Sequence, residues 1–343
     1  MAPVRPRIAL WCERLTQMAR IDELRLIAKV AHLYYVRGMR QTEIVERLTI
    51  HQSTVSRMLK RAEREGIVRI SVAPPAGVHS ELEQALESQY DLKEAVIVDC
   101  LEDEEQIAHD LGAAAAFFVE STIKEGDKVG ISSWSATLSA MVSAMHPTAK
   151  GADSAVVQIL GGVGNPNTQV NATQLTQRLA ALVGGRPVLL PAPGVVGSEE
   201  ARKILLQDQF VSEATSLFGE IDVALVGIGA LEPSKALASS GNIFSPQELK
   251  ILRKHGAVGD ICLRFYDVQG VPIKTPLNER VIGIELAQLK RADRVVGVAG
   301  GSRKRAAILG ALRGQWISTL ITDRATAEYL LSVEVPQAKR RKA

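Results

Sequence analysis

The residues best suited to chemistry fall into two groups. The first is Gln52, Ser53, Ser56, Arg57 and Lys60. At 3.6 residues per turn these share one side of a helix over residues 52–64, with Val55, Met58, Leu59 and Ala62 on the other. Gln and Arg can pair with base edges, while Ser and Lys suit phosphate oxygens. The second group recurs along the chain, each time after an apolar run. Residues 132–137 (Ser-Ser-Trp-Ser-Ala-Thr), 161–164 (Gly-Gly-Val-Gly), 191–194 (Pro-Ala-Pro-Gly), 227–229 (Gly-Ile-Gly) and 300–304 (Gly-Gly-Ser-Arg-Lys) are of this kind. Such turns offer backbone N–H groups, hydroxyls and, at Arg303 and Lys304, cations to a phosphate or other polar ligand. The amides of Asn165, Asn167, Gln169, Asn171 and Gln174 suit sugar hydroxyls.

The first group needs a scaffold. Residues 21–37 read as one helix with Leu24, Ile27, Ala28, Ala31, Leu33, Tyr34 and Tyr35 on its apolar face. Asp22 and Glu23 sit at its start, where the helix dipole favours anions, and Gly38 supplies the stop. Residues 42–48 form a short helix with Ile44, Val45 and Leu48 on one face. Two short helices across a tight turn, the second basic outside, form a helix-turn-helix whose second helix fits the major groove of double-stranded DNA. Gln41 and Thr42 join the candidate DNA contacts. Gly66 ends the second helix, and residues 67–72 read as a β-wing. Thr49 stands where such a turn usually has Gly, and His51 where a Ser or Thr cap is usual.

Charge follows the same division. Residues 1–72 hold 14 Lys/Arg against 7 Asp/Glu, and the other 271 residues hold 27 against 31. A basic head on an acidic body is the footprint of a nucleic-acid-binding module attached to something else. The stretch Ala-Pro-Pro-Ala-Gly at residues 73–77 breaks the chain between them. Residues 80–90 then form a helix, with Ser80 and Glu83 spaced as a capping box.

The second group needs a sheet. Residues 95–98, 128–132, 155–160, 188–190, 223–228, 258–263, 294–298 and 318–322 read as strands. Helices at 104–123, 137–145, 171–183, 246–255, 304–312 and 324–331 lie between them. Apolar strands alternating with helices argue for an α/β class body, a mainly parallel sheet covered on both faces. Ligands of such sheets sit at the C-terminal strand ends. The expected organisation is an N-terminal extension at 1–20, the helix-turn-helix at 21–72, a linker at 73–79, an effector-binding and oligomerisation domain at 80–334, and a basic tail at 335–343.

Several classes are excluded. With 46% hydrophobic and 23% charged residues in 343, the chain can build full cores and is not disordered. No apolar run reaches the roughly 18 residues of a membrane span. Cys12, Cys100 and Cys262 form no CxxC pair, which points to a reducing cytoplasm without disulfides or zinc. The glycines at 227–229 and 162–164 do not complete a dinucleotide motif, no P-loop occurs, and the six histidines lack metal spacing. No cofactor or metal is expected. Asp222 and Asp260 near strand ends could serve as acid–base groups, so a sugar-phosphate isomerase-like enzyme carrying a DNA-binding head is the alternative. The sequence holds no paired carboxylate or Lys–carboxylate constellation beyond what binding needs, so catalysis is not expected.

The motifs together resemble a known family. Residues 31–44 (Ala-His-Leu-Tyr-Tyr-Val-Arg-Gly-Met-Arg-Gln-Thr-Glu-Ile), 54–57 and 65–70 resemble the DNA-binding domain of SorC-type (DeoR-like) sugar-binding transcriptional regulators. Residues 130–138, 157–164, 190–193, 222–230, 256–262 with 264–267, and 295–301 with Lys304 resemble the body motifs in order. The likeness spans roughly residues 25–332. It implies a body with the fold of ribose-phosphate isomerases, glucosamine-phosphate deaminases and CoA transferases, used as a sensor. It implies that Ser133, Ser135, Thr137 and Lys304 surround a phosphate or polar sugar end. Gly162, Asn171, Gln174, Asp260 and Arg264 would line the remainder. It further implies a homotetramer, a dimer of dimers. The ligand would be a sugar, polyol or sugar phosphate, and the control repression of a carbohydrate or polyol operon. The family's first loop often reads Ser-Trp-Gly before its Ser or Thr, whereas here Ser133 is an extra residue and the Gly is absent, and the family often has acidic residues where Ser302 and Arg303 stand. The added positive charge suits a phosphorylated ligand.

Overall fold

The computed structural model describes residues 22–68, 79–101, 103–148, 150–163, 166–233, 238 and 244–334, without the side chains of 166–171. The chain divides into two compact units, Met1–Val72 and Ala73–Ala343. The expected extension, residues 69–72 of the wing, the linker up to residue 78, Asn165 and the basic tail lie outside the described residues, as do the side chains of Asn167, Gln169 and Asn171.

In the first unit, helix α1 (residues 22–31) runs into a π-helical turn, His32–Val36, followed by α2 (Gln41–Leu48) and α3 (Gln52–Arg64). Val30, Leu33, Ile44, Val55 and Leu59 form a small buried core. The expected face of α1 had Ala28 inside. Instead Val30 is buried and Ala28 exposed, because Ile27, Val30 and Ala31 share one face at the i, i+3, i+4 spacing and Ala28 falls outside it. Gly38 leaves the turn at φ +64°. Residues 67 and 68 are irregular and not strand.

The second unit alternates strands and helices. In chain order these are α4 (Ser80–Tyr90), β1 (Glu94–Val98), α5 (Glu104–Thr122), β2 (Lys128–Ile131), α6 (Ala136–Ala144), β3 (Ala155–Gln158), α7 (Pro166–Val183) and β4 (Arg186–Val188). There follow α8 (Glu199–Gln207), α9 (Gln209–Ser216), β5 (Val223–Gly227), β6 (Gly229–Ala230), α10 (Pro246–Lys254), β7 (Ala257–Ile261) and β8 (Arg264–Asp267). The last are α11 (Leu286–Leu289), β9 (Arg294–Val298), α12 (Arg305–Arg313), β10 (Thr319–Asp323) and α13 (Arg324–Ser332). No helix among the described residues is long and apolar enough to cross a membrane.

Seven strands form one parallel sheet in the order β1-β10-β9-β5-β2-β3-β4. Successive residues of β5 enter opposite cores. Ala224 and Val226 join Leu86, Ile308 and Leu330, while Val223 and Leu225 join Leu111, Leu138 and Met141. That is why the strands read as unbroken apolar runs: both faces are buried. The chain winds outward through β2, β3 and β4, then returns to start β5 on the other side of β2. The winding therefore reverses between β2 and β5. Such a switch point leaves a crevice outside the C-terminal strand ends.

Three local expectations are corrected. Residues 258–263 do not join the parallel sheet. They lie in a separate antiparallel sheet, β6-β7-β8, whose hairpin turns back too tightly for a parallel crossover. The fourth strand is Arg186–Val188 rather than 188–190. Ser80 does not cap α4; His79 holds that position without a side-chain bond. Glu83 and Glu87 instead accept from the backbone N–H groups of Ile97 (3.0 Å) and Ala95 (2.9 Å). These carboxylates satisfy the outward donors of β1, the edge strand.

Candidate functional site

The outer face of α3 is built by what packs beneath it. Val55, Leu59 and Ala62 are buried, which turns Gln52, Ser53, Arg57 and Lys60 outward, all exposed, with Ser56 half-buried. Thr42 is exposed on the first turn of α2, and Gln41 beside it is half-buried. Arg61 anchors α3 by ion pairs to Glu23 of α1 (2.5 Å) and Glu65 (2.6 Å). The Tyr35 phenol donates to Glu63 (2.5 Å), a bond that pushes its pKa up to about 12. Thr49 enters the turn between α2 and α3 at φ +54°, the conformation for which Gly is the usual residue. His51 caps α3 with no side-chain bond. All seven candidate DNA contacts thus lie on α2 and α3, with Gln52, Ser53, Ser56, Arg57 and Lys60 on the side of α3 opposite its core.

The second site lies at the switch point. A cavity of about 170 Å³ is lined by the turns after β2, β5 and β9, by Asp260 of β7, and by the start of α5. The β2 turn brings Ser132, Trp134, Ser135 and Thr137. Ser135 caps α6, its Oγ accepting from the N–H of Leu138 (3.2 Å). The β5 turn is pressed close. A Cβ on Gly227 would stand 2.7 Å from Ser135 Oγ, and one on Gly229 would overlap Asp260 Oδ1. The β9 turn is held by Asp323, whose Oδ2 accepts from the N–H of Gly301 (2.7 Å). Gly301 there has φ +90°, so the glycine is required.

Two charges face this cavity without an ion pair between them. Asp260 is buried, and its Oδ2 accepts from the backbone N–H of Leu263 (2.9 Å). Burial raises its pKa to about 6, against the opposing pull of that N–H and of Lys304. Lys304 is half-buried. Desolvation and neighbouring Arg303 lower its pKa, against Asp260 and Glu104. Its Nζ has no hydrogen bond or ion pair within 4.0 Å among the described residues. Arg303 is committed: it donates to Glu104 (2.9 Å) and to the carbonyl of Glu232 (3.2 Å), while Glu232 pairs with Arg253.

The cavity takes in Ser135, Thr137, Asp260 and Lys304, and leaves other expected residues elsewhere. Ser133 is buried and donates to the carbonyl of Leu160 (3.1 Å). Gly162 packs against Ala172 and Gln158. Gln174 is exposed on α7. Arg264 is buried as a structural hub, donating to the carbonyls of Asn278 (2.8 Å), Gly283 (3.2 Å), Val281 (3.3 Å) and Ile284 (3.3 Å) and pairing with Glu285 (2.7 Å). Those carbonyls and Glu285 hold its guanidinium, and it does not line the cavity. Trp134 does both jobs: it lines the cavity and donates Nε1–H to the carbonyl of Gly161 (3.2 Å). Glu104, Cys262 and Leu263 also line it. The reading of turns missed these three, since nothing in their local spacing marks them.

Both units of the chain match known families. The family model described as "Putative sugar-binding domain" matches residues 75–332, and the MarR family model matches residues 29–71. The chain is 35% identical over 320 residues to the sorbitol operon regulator of Klebsiella pneumoniae, covering 92% of this chain and 100% of that protein. It is 34% identical over 313 residues to the deoxyribonucleoside regulator of Bacillus subtilis, covering 91% and 98%. The crystal structure of full-length SorC from Klebsiella pneumoniae superposes with a TM-score of 0.72 at 33% identity, covering 90% of this chain and 99% of that one. The chain belongs to the SorC family of sugar-binding transcriptional regulators, an effector-responsive DNA-binding protein.

Proposed function

We propose that the chain represses a carbohydrate or polyol operon in the cytoplasm and releases its operator when a sugar, polyol or sugar phosphate enters the switch-point cavity. The observation that carries this is Lys304, a half-buried ammonium without an ion pair among the described residues, at the edge of the cavity beside the turn at residues 300–304. A buried cation is costly unless something pairs with it, and an anionic ligand end is the fitting partner. Ser135 and Thr137 add hydroxyls, and Asp260 can accept from a sugar hydroxyl. Gln52, Ser53, Ser56, Arg57 and Lys60 read DNA, with Gln41 and Thr42 positioning the backbone. Two heads are needed for two half-sites, so the chain acts as a homo-oligomer, a tetramer built as a dimer of dimers. The ligand must bind one arrangement of that oligomer better than the other, or it shifts nothing.

A second reading rests on Asp260. A buried carboxyl with a pKa near 6 beside a lysine could move protons in a sugar-phosphate isomerase. Incubation of a hexose monophosphate with the protein distinguishes the two: we expect it to be recovered unchanged. The main test is fluorescence anisotropy on an operator fragment selected from random DNA, titrated with neutral sugars, polyols and their phosphates. A monophosphate should release the DNA. Lys304→Met should weaken that response about tenfold to a hundredfold, the loss of one charged hydrogen bond, with effector-free DNA affinity kept. An undiminished response in that variant would refute the assignment.

A further inference from the structure

β7 and β8 are joined by two residues, Cys262 and Leu263, at φ +52° and +61°. A two-residue hairpin with both residues left-handed is a type I′ turn, which strongly favours Asn-Gly because other side chains crowd their own backbone. Here neither residue is Asn or Gly. Both side chains are buried, at 3% and 4% exposure, and both line the cavity. Strain of this kind persists only where the surroundings fix it, and it concentrates at ligand-binding sites. Two contacts fix it here. Asp260 accepts from the N–H of Leu263, and Arg264 ties the next residue to the carbonyls of residues 278–284. An Asn-Gly turn would relieve the strain but would leave the cavity without an apolar wall at this point.

We propose that Leu263 is a specificity-determining residue: its side chain is a fixed apolar end stop that sets how long a ligand anchored at Lys304 can be. This rests on the reading of the cavity as the effector site. The lining groups differ in chemistry. Lys304 and the turn at 300–304 take the anionic end, Asp260 takes a hydroxyl, and Leu263 meets carbon. A chain one carbon too long pushes its terminal hydroxyl against an isobutyl group that offers no hydrogen bond and sits on a backbone too constrained to yield. That hydroxyl loses its water without gaining a partner, so affinity falls.

The test is a thermal-shift titration of the full chain with tetrose, pentose, hexose and heptose monophosphates. The wild type should show one preferred length, with the next longer homologue at least tenfold weaker. Leu263→Ala and Leu263→Gly both remove the stop, and each should move the preference to a longer homologue. They differ only in backbone strain, since Ala keeps the Cβ that the left-handed conformation disfavours. Without ligand, the Gly variant should therefore melt above the Ala variant, the reverse of their usual order. If the wild type responds but does not discriminate by length, or if both variants keep its preference, Leu263 is no stop. If no monophosphate shifts the wild type at all, the anionic anchor at Lys304 fails and this inference with it. An Ala variant melting at or above the Gly variant would refute the strain argument.

Discussion

On α3 the polar groups stand on the outside of a helix whose other side is packed; around the cavity they stand inward, at the ends of strands packed on both sides. The difference governs what each site asks of the chain. Arg57 and Lys60 are exposed and keep their water until DNA displaces it. They need only the periodicity of the helix and a small core of Val30, Leu33, Ile44, Val55 and Leu59 to aim them. Asp260 and Lys304 are partly or wholly desolvated before any ligand arrives. They draw on the whole sheet: glycines at 227 and 229, the carboxylate of Asp323 and the strained turn at 262–263. The outward site is therefore modular, and its weak point is stability. The inward site is integrated, and its weak point is charge.

The largest effect should come from breaking the small core. Leu59→Ala removes a nearly fully buried side chain and should cost about 2–5 kcal/mol, as truncations in packed cores do. A core this small has little to spare. DNA binding should be lost, while the ligand-dependent thermal shift of the body persists, because the two units have separate cores. Loss of both together would show that the units do not fold independently.

The next effect belongs to the inward site. Asp260 has a folded pKa raised from 3.8 to about 6. The folded state thus holds the proton more tightly than the unfolded state does. Stability falls as pH rises between about 4 and 6 and stays lowered above that. The shift is about two units, on the order of 3 kcal/mol. Asp260→Asn keeps an acceptor for the Leu263 N–H and carries no charge. It should melt higher than wild type at neutral pH, and the gain should vanish near pH 4. An Asn variant less stable at neutral pH would mean that Lys304 compensates the buried charge.

How much of this could be read from sequence follows the same division. The α3 face was legible because a helical period of 3.6 sorts Gln52, Arg57 and Lys60 from Val55 and Leu59 without any tertiary knowledge. The turns at 132–137, 227–229 and 300–304 were legible because Gly and Ser after an apolar strand mark a loop. Which of them meet depends on the strand order, which no local pattern carries. Gln174 and Gly162 follow β3 as Ser135 and Thr137 follow β2, yet only the latter two reach the cavity. Arg264 stands among the ligand contacts that the family resemblance implies; here backbone carbonyls and Glu285 take its donors instead. Leu263 gave no signal, since an apolar residue in a strand-like run reads as core. The short strands β6 and β8 escaped for the related reason that antiparallel pairing is long-range information.

A smaller effect tests whether the outward site reads sequence. Arg57→Ala should weaken selected operator DNA by about 1–3 kcal/mol, the worth of one good base contact. Binding to unrelated DNA should weaken much less, and the ligand response of the body should be untouched. Equal losses on both DNAs would make Arg57 a phosphate contact.

The smallest effect compares the two strained turns directly. Thr49, like Leu263, is a non-glycine residue in the left-handed region, but it is exposed and does not line the switch-point cavity. A left-handed residue other than Gly costs roughly 1–2 kcal/mol, and Gly gives back roughly 0.5–1 kcal/mol through the added freedom of the unfolded chain. Thr49→Gly should therefore stabilise the head by about 1 kcal/mol or less. Guanidinium unfolding followed by DNA binding would resolve this from the melting of the body. Affinity at full folding should not change, because the turn still delivers α3 with Arg57 and Lys60 outward. If Thr49→Gly left the head no more stable, the strain at Thr49 would be offset by contacts of its own. If the substitution raised DNA affinity as well, the turn would be holding α3 away from its best angle. Either result would bring the helix-turn-helix closer to the cavity, where strain is tied to what the site can bind.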